Sequence, residues 1–266
     1  RVDASGEDVA ATGDVVAQVA QANRNYQAYV RDQSAQLLAK TIQFANAYKA
    51  GDDDRARQLY TGARVHWERI ETVAESFGDL DPRMDAREAD LEPGQKWTGW
   101  HRMEKDLWPQ RAKGYTAMTP ARRATVADGL VADTRTLDRR GRAETVPGDP
   151  NANGPRGLME EVATGKVTGE EEYWSRTDLY DFQANMDGAR VAFDGLRPVI
   201  DARDPGLAKT VDARFSAVQK LLDRHRRGAD GFVGYDELSP AEVRALSDAV
   251  TALNEPLSKV TAAVVG

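Results

Sequence analysis

Hydrophobic and polar positions recur at helical spacing along almost the whole chain. From Asp14 to Tyr48, the residues Val15, Val19, Tyr26, Val30, Leu37, Phe44 and Tyr48 form one apolar stripe, which predicts a long first helix ended by Gly51. Asp52, Asp53 and Asp54 place negative charge at the start of a second helix that continues to about Phe77. Gly78 to Gly94, with two prolines, two glycines and many acids, reads as a long ordered loop. A third helix is expected from about Lys96 to Lys113, and Thr119-Pro120 opens a fourth that ends near Arg142.

The densest run of helix breakers is Val146-Pro147-Gly148-Asp149-Pro150-Asn151-Ala152-Asn153-Gly154-Pro155, which falls near the middle. It divides the chain into an N-terminal bundle (1–145) and a C-terminal bundle (146–266). Beyond it the pattern predicts a short helix over Gly157 to Gly165, then helices over about Thr177 to Asp201, Pro205 to Arg227 and Ser239 to Val265. Ser239 and Glu242 have the spacing of a capping box. Alternating β-branched runs are few, and the one Asn-Gly pair lacks flanking strands. The expected fold is therefore all-α, a pair of four-helix-type bundles with no convincing internal repeat.

Composition narrows the chemistry. The net charge of -7 mixes both signs and offers no basic stripe for nucleic acid. With no cysteine, any metal must be held by carboxylate, imidazole or hydroxyl groups. No apolar run is long enough to span a bilayer. The sequence begins at Arg1, which fits either an excised piece or a mature form whose export segment has been cut away.

The most informative stretch runs from Trp97 to Trp108. At about 100° per residue, Trp97, Trp100, His101, Met103, Glu104, Leu107 and Trp108 share one side of a helix. A carboxylate among tryptophans is costly unless paired, protonated or bound to a cation. A His101–Glu104 hydrogen bond one turn apart would meet that need without a ligand. Glu68, Glu71 and Glu75 make a second acidic stripe, either solvated or facing the His101 helix in an oxygen-rich cluster suited to iron or another hard cation. Asp79, Asp81, Asp85, Glu88, Asp90 and Glu92 crowd the connecting loop, where any of them could close over a cation as a further ligand, although most read as solvated charges. Asp178, Asp181, Gln183 and Asn185 place polar groups beside Leu179, Phe182 and Met186, and call for the same caution. Asp149, Asn151, Asn153 and Glu160 match calcium-loop spacing, but Pro147 and Gly148 stand where a helix should precede, so a linker is the better reading. His66 reads as structural, and His225 as a surface complement to a helix end. No His-Glu-x-x-His pair, Gly-x-Ser-x-Gly elbow or phosphate-cradling glycine loop is present.

The Gly-x-His-x-x-Glu run at Gly99, His101 and Glu104 resembles the signature of the imelysin-like family. Glu68-Arg69-Ile70-Glu71, Asp85-Ala86-Arg87-Glu88, Glu161-Val162-Ala163, Gly169-Glu170-Glu171 and Thr177-Asp178-Leu179-Tyr180-Asp181 extend that resemblance over most of the chain, toward the EfeO/EfeM iron-uptake branch. The resemblance implies a bilobed helical fold with a cleft between or beside the bundles. The metal ligands it implies are Glu68, Glu71, Asp85, His101, Glu104 and Glu161, with Glu160 as the alternative for the last. It implies iron, ferric or ferrous, as the metal, with zinc or copper able to bind in vitro. It further implies a non-enzymatic, exported monomer, periplasmic or tethered to the outer face of the cytoplasmic membrane, that serves an iron permease and a peroxidase-like component. Longer members carry a cupredoxin-like domain that this sequence lacks. Two other readings attach to the family: a zinc-dependent metallopeptidase, and a polysaccharide-binding protein bridged by metal.

Overall fold

A computed structural model describes residues 6–71, 73, 76, 78–143, 166–228 and 231–265. Its helices are α1 (Gly6–Ala50), α2 (Asp53–Glu68), α3 (Asp81–Met84), α4 (Trp100–Leu107), α5 (Pro120–Ala143), α6 (Asp178–Arg203), α7 (Pro205–Asp223), α8 (Pro240–Leu257) and α9 (Val260–Val265). Among the described residues the only strands are the two-residue pair β1 (Arg226–Arg227) and β2 (Gly231–Phe232), which run antiparallel. The fold is all-α, as the periodicity predicts.

The stripe on α1 is the side it buries: Tyr26, Val30, Leu37, Phe44 and Tyr48 lie in the core, with α2, α5 and α6 packed along the helix. Gly51, at φ +76, turns the chain out of α1, and the N–H groups of Gly51 and Asp52 bond back to Tyr48 and Ala47. Asp52 then accepts the Arg55 N–H and caps α2. The Ser239–Glu242 capping box forms as its spacing predicts.

Apolar side chains gather in two clusters. One joins α1, α2, α4 and α5 around Trp67, Trp100 and Phe44; the other joins α6, α7 and α8 around Phe193, Leu222 and Leu253. Helix α6 contributes to both, through Ala192 in the first. The expected boundary at 146–155, the short helix at 157–165 and the calcium-like loop all lie outside the described residues.

Several elements differ from the periodic reading. Helix α2 stops at Glu68, where the Ile70 N–H turns to the Trp67 carbonyl in a tighter i→i−3 bond. The loop from Gly78 contains α3 and a 3₁₀ turn at Glu88–Asp90. Helix α4 ends earlier than expected because Pro109 disfavours the helical conformation at Trp108, which leaves it at φ -118 and ψ 55. Helix α7 ends at Asp223 to form the small hairpin, and the last predicted helix divides into α8 and α9. His225, read as a surface residue, is buried, with only 8% of its surface exposed.

Candidate metal centre

Five segments bring polar and ionisable side chains to one buried place. Helix α2 presents Tyr60, Arg64 and Glu68 on its inner face, all fully buried. Asp85 ends the turn that closes α3. Helix α4 points His101 and Glu104 inward, and the first turns of α6 contribute Asp178, Asp181 and Asn185. Glu171 and Glu172 complete the ring from the segment before α6. Gly99 sets the key approach: at φ +87, a Cβ there would lie 2.1 Å from the Met84 carbonyl oxygen. Only glycine lets the start of α4 pass so close to the Met84–Asp85 backbone.

His101 is held from one side and open on the other. Its Nδ1 lies 3.1 Å from Glu104 Oε2. The second oxygen of Glu104 accepts the backbone N–H groups of Trp174 and Ser175, at 2.8 and 2.6 Å. Nε2 lies 3.3 Å from Asp85 Oδ1 and 3.4 Å from Glu171 Oε1, yet is a buried atom with no aligned hydrogen bond. A carboxylate that receives Nδ1–H fixes the tautomer whose Nε2 lone pair can bind a metal. His101 and Glu171 also line a cavity of about 430 Å3, together with Arg87, Glu88, Asp90 and Trp174.

Eight buried acids, Glu68, Glu71, Asp85, Glu104, Glu171, Glu172, Asp178 and Asp181, stand around this point. Two buried bases answer them. Arg64 pairs with Glu68 at 2.7 Å and Glu171 at 2.8 Å, and also with Asp85 and Glu172. Lys166 pairs with Glu68 and, at 2.8 Å, with Glu71. Acids so outnumber bases that protons must supply the remaining positive charge. Burial, reinforced by Glu104, pushes Glu172 up to about 8, and burial takes Asp178 to about 7. Glu71 and Asp181 rise well above the ordinary carboxylate range, by burial and by repulsion from Glu68. Burial also pushes on Glu171, but Lys166 and His101 outweigh it and hold that carboxyl at about 2. Asp85 is held far below its usual value against burial, chiefly by Arg64 and then by His101. Burial and Arg64 oppose an imidazolium at His101, but Asp85, Glu104 and Glu171 prevail and raise its pKa well above the ordinary value. Protons on these groups occupy lone pairs that a cation would take, and the set Asp85, His101 and Glu171 places one ligand atom from each within 4.8 Å of the others. The donor set fits a hard or borderline cation such as iron.

The structure therefore brings together Glu68, Glu71, Asp85, His101 and Glu104, while Glu161, its alternative Glu160 and also Glu75 lie outside the described residues. Of the loop acids, Asp79 pairs with Arg140, Glu88 with Lys105 and Asp90 with Arg87, and only Asp85 is buried. His66 is structural, with Nδ1 2.7 Å from Gln33 Oε1, and burial lowers its pKa to about 4. Sequence reasoning missed Glu171, Glu172, Arg64 and Lys166. Asp178, Asp181 and Asn185 repeat the i, i+3, i+7 spacing of Glu68, Glu71 and Glu75, and that match was the available signal. Arg64, one turn before Glu68 between Ala63 and Val65, was a weaker one. Lys166 had none.

An all-helical body built round a buried, carboxylate-rich, single-histidine cluster is an arrangement of the kind in which helical bundles can hold a cation. The chain belongs to the imelysin family, whose model matches residues 22–260. It is 40% identical over 253 residues to an Efem/EfeO family lipoprotein of Staphylococcus haemolyticus, covering 93% of this chain and 85% of that protein. It is 37% identical over 251 residues to the protein of the same description in Staphylococcus aureus, covering 92% and 86%. It is also 40% identical over 255 residues to the iron uptake system component EfeO of Escherichia coli, covering 94% of this chain and 66% of that protein.

Proposed function

We propose that this protein captures iron, ferric or ferrous, as cargo for a membrane uptake system, with His101 Nε2, Asp85 and Glu171 as the first ligands. The observation that carries the reading is the division of labour on His101. Its Nδ1 is tied to a carboxylate that two backbone amides hold in turn, and its Nε2 faces Asp85 and Glu171, the second of which lines the same cavity as His101. Glu104 acts through His101 by orienting the ring, while Glu68 and Glu71 stand deeper, against Lys166. Iron is favoured over other cations by the relative named an iron uptake system component.

The same reading places the protein at the cell envelope, because two relatives are named lipoproteins. No described helix is long and apolar enough to cross a membrane. As a monomer it would then pass iron to a permease working with a peroxidase-like component. Binding without catalysis suits the site: a zinc hydrolase keeps an open position on rigid ligands beside a general base, and a single imidazole among so many acids suits iron better.

The test is anaerobic titration with ferrous iron, and separately with zinc and copper, of wild type, His101→Ala and Glu104→Gln. His101→Ala should lose the iron equivalent, and Glu104→Gln should weaken it about 10- to 100-fold, as second-layer partners of ligating histidines do. Helical content should not change. Unaltered affinity in His101→Ala overturns the assignment. Selective zinc binding with cleavage of a peptide library would establish the peptidase instead.

A further inference from the structure

Between α3, the segment leading into α4, and α5 lies a cavity of about 460 Å3 that shares no lining residue with the cavity at His101. Val126, Gly129 and Ala132 of α5 give it apolar lining, and Arg83, Lys96, Arg122 and Asp133 give it charge. Arg83 is answered by Asp133, at 2.7 Å. Lys96 and Arg122 are exposed and, among the described residues, pair with no acid. The lining therefore keeps two positive charges in a protein that is acidic as a whole.

Two residues of α5 break the rules of their own helix, and both line this cavity. Gly129 stands in the interior of a 24-residue helix, where glycine is the costliest residue after proline. Packing does not require it: a Cβ there would meet no atom within 4 Å. What the missing side chain provides is open space along the cavity wall and close access to the backbone. Arg122 lies in the first turn of α5, where the helix dipole disfavours a cation, and no acid in that turn offsets it. Its neighbour Arg123 is held by Asp53 and Asp106. Two such breaks of local rules in one helix, converging on one cavity, are the mark of a site.

We propose that this cavity binds a phosphate monoester, with Arg122 and Lys96 holding the dianionic head and the organic body lying along Val126, Gly129 and Ala132. A guanidinium fork and an ammonium together suit the terminal oxygens of a phosphate. A monoester carries both charges on one group and leaves the rest of the molecule uncharged against the apolar lining. A dicarboxylate would bring its second charge there, at a cost in desolvation. The volume is that of a small-molecule site, larger than inorganic phosphate needs. The proposal does not depend on the His101 reading.

The test is calorimetric titration of the full chain at low ionic strength and about pH 8, where a monoester carries both charges, with phenyl phosphate and with inorganic phosphate. Wild type should bind one equivalent of phenyl phosphate, about tenfold more tightly than inorganic phosphate because the ring is buried as well. Lys96→Ala/Arg122→Ala should lose that binding. Gly129→Leu, which changes no charge and puts a good helix former in place of a poor one, should lose it too while raising the melting temperature. His101→Ala should bind phenyl phosphate as wild type does, so the two sites stand or fall separately. Absence of phenyl phosphate binding in wild type, equal affinity for the two phosphates, or unchanged binding in Gly129→Leu overturns the site. Where phenyl phosphate binds as expected, sedimentation with phosphatidylcholine vesicles containing phosphatidic acid identifies the natural source. Retention of wild type but not of Gly129→Leu means a lipid headgroup, and retention of neither means a soluble ester.

Discussion

At the scale of single residues, the centre is a problem of charge, and pH reads it directly. Glu172, taken from 4.5 to about 8, and Asp178, taken from 3.8 to about 7, are protonated in the folded protein at pH values where the unfolded chain ionises them. A raised carboxyl contributes stability that is fully present below its unfolded pKa and is lost as pH rises through the folded one. Glu171, held at about 2, works in the opposite sense: its contribution is present above 4.5 and lost as pH falls toward 2. Without added metal, thermal stability should therefore peak near pH 4 to 5 and decline toward pH 8. Glu172→Gln and Asp178→Asn should each flatten the decline on the alkaline side. A melting temperature that rises steadily from pH 5 to 8 in wild type would contradict this account. Iron affinity should run the other way and increase with pH, because protons and metal compete for the same oxygens and imidazole nitrogen.

At the scale of elements, the placement of α4 decides whether His101 meets Asp85. Gly99→Ala would force a Cβ into the Met84 carbonyl from a left-handed backbone, a strain of about 1–3 kcal/mol before any clash is counted. The expected result is a lowered melting temperature together with a marked loss of metal affinity, read by calorimetry. Trp100→Ala, which removes a ring stacked on Phe44 at 5.3 Å and edge-on to Tyr60 at 5.9 Å, should cost about 3–5 kcal/mol of stability. These elements also show what a sequence can reveal. The stripe of α1, the caps at Asp52 and Ser239 and the inward side of α4 follow from spacing alone, because each is local. Asp85 and His101 were legible through a family motif. Lys166 and Arg64 were not, since a basic residue becomes part of an acidic site only through tertiary contacts, and one lysine beside a glycine-rich stretch has no periodicity to betray it. The break in α2 after Glu68 was hidden because the apolar and acidic positions continue at helical spacing through the turn.

At the scale of the molecule, the centre lies where distant parts of the chain meet. Arg64 and Glu68 come from α2, His101 and Glu104 from α4, and Lys166, Glu171, Glu172 and Asp181 from sequence beyond the helix-breaking midpoint. A cation held by His101, Asp85 and Glu171, as proposed, would tie these parts together, so binding should be felt on both sides at once. Ligand that binds only the folded state stabilises it by about 2.7 kcal/mol at a hundredfold excess over Kd. For a chain of this size that corresponds to a rise of roughly 5–10 °C in Tm. Hydrogen exchange locates the effect. The amides of Trp174 and Ser175, which donate to Glu104, and the Met103 amide, which closes the first turn of α4 on Gly99, should slow together on addition of metal. Because the first pair follows the midpoint and the last precedes it, parallel protection requires an ion that engages both. Protection confined to residues 171–185, with Met103 exchanging as before, would mean that the ion sits on α6 and its approach alone, and His101 would have to be withdrawn as a ligand.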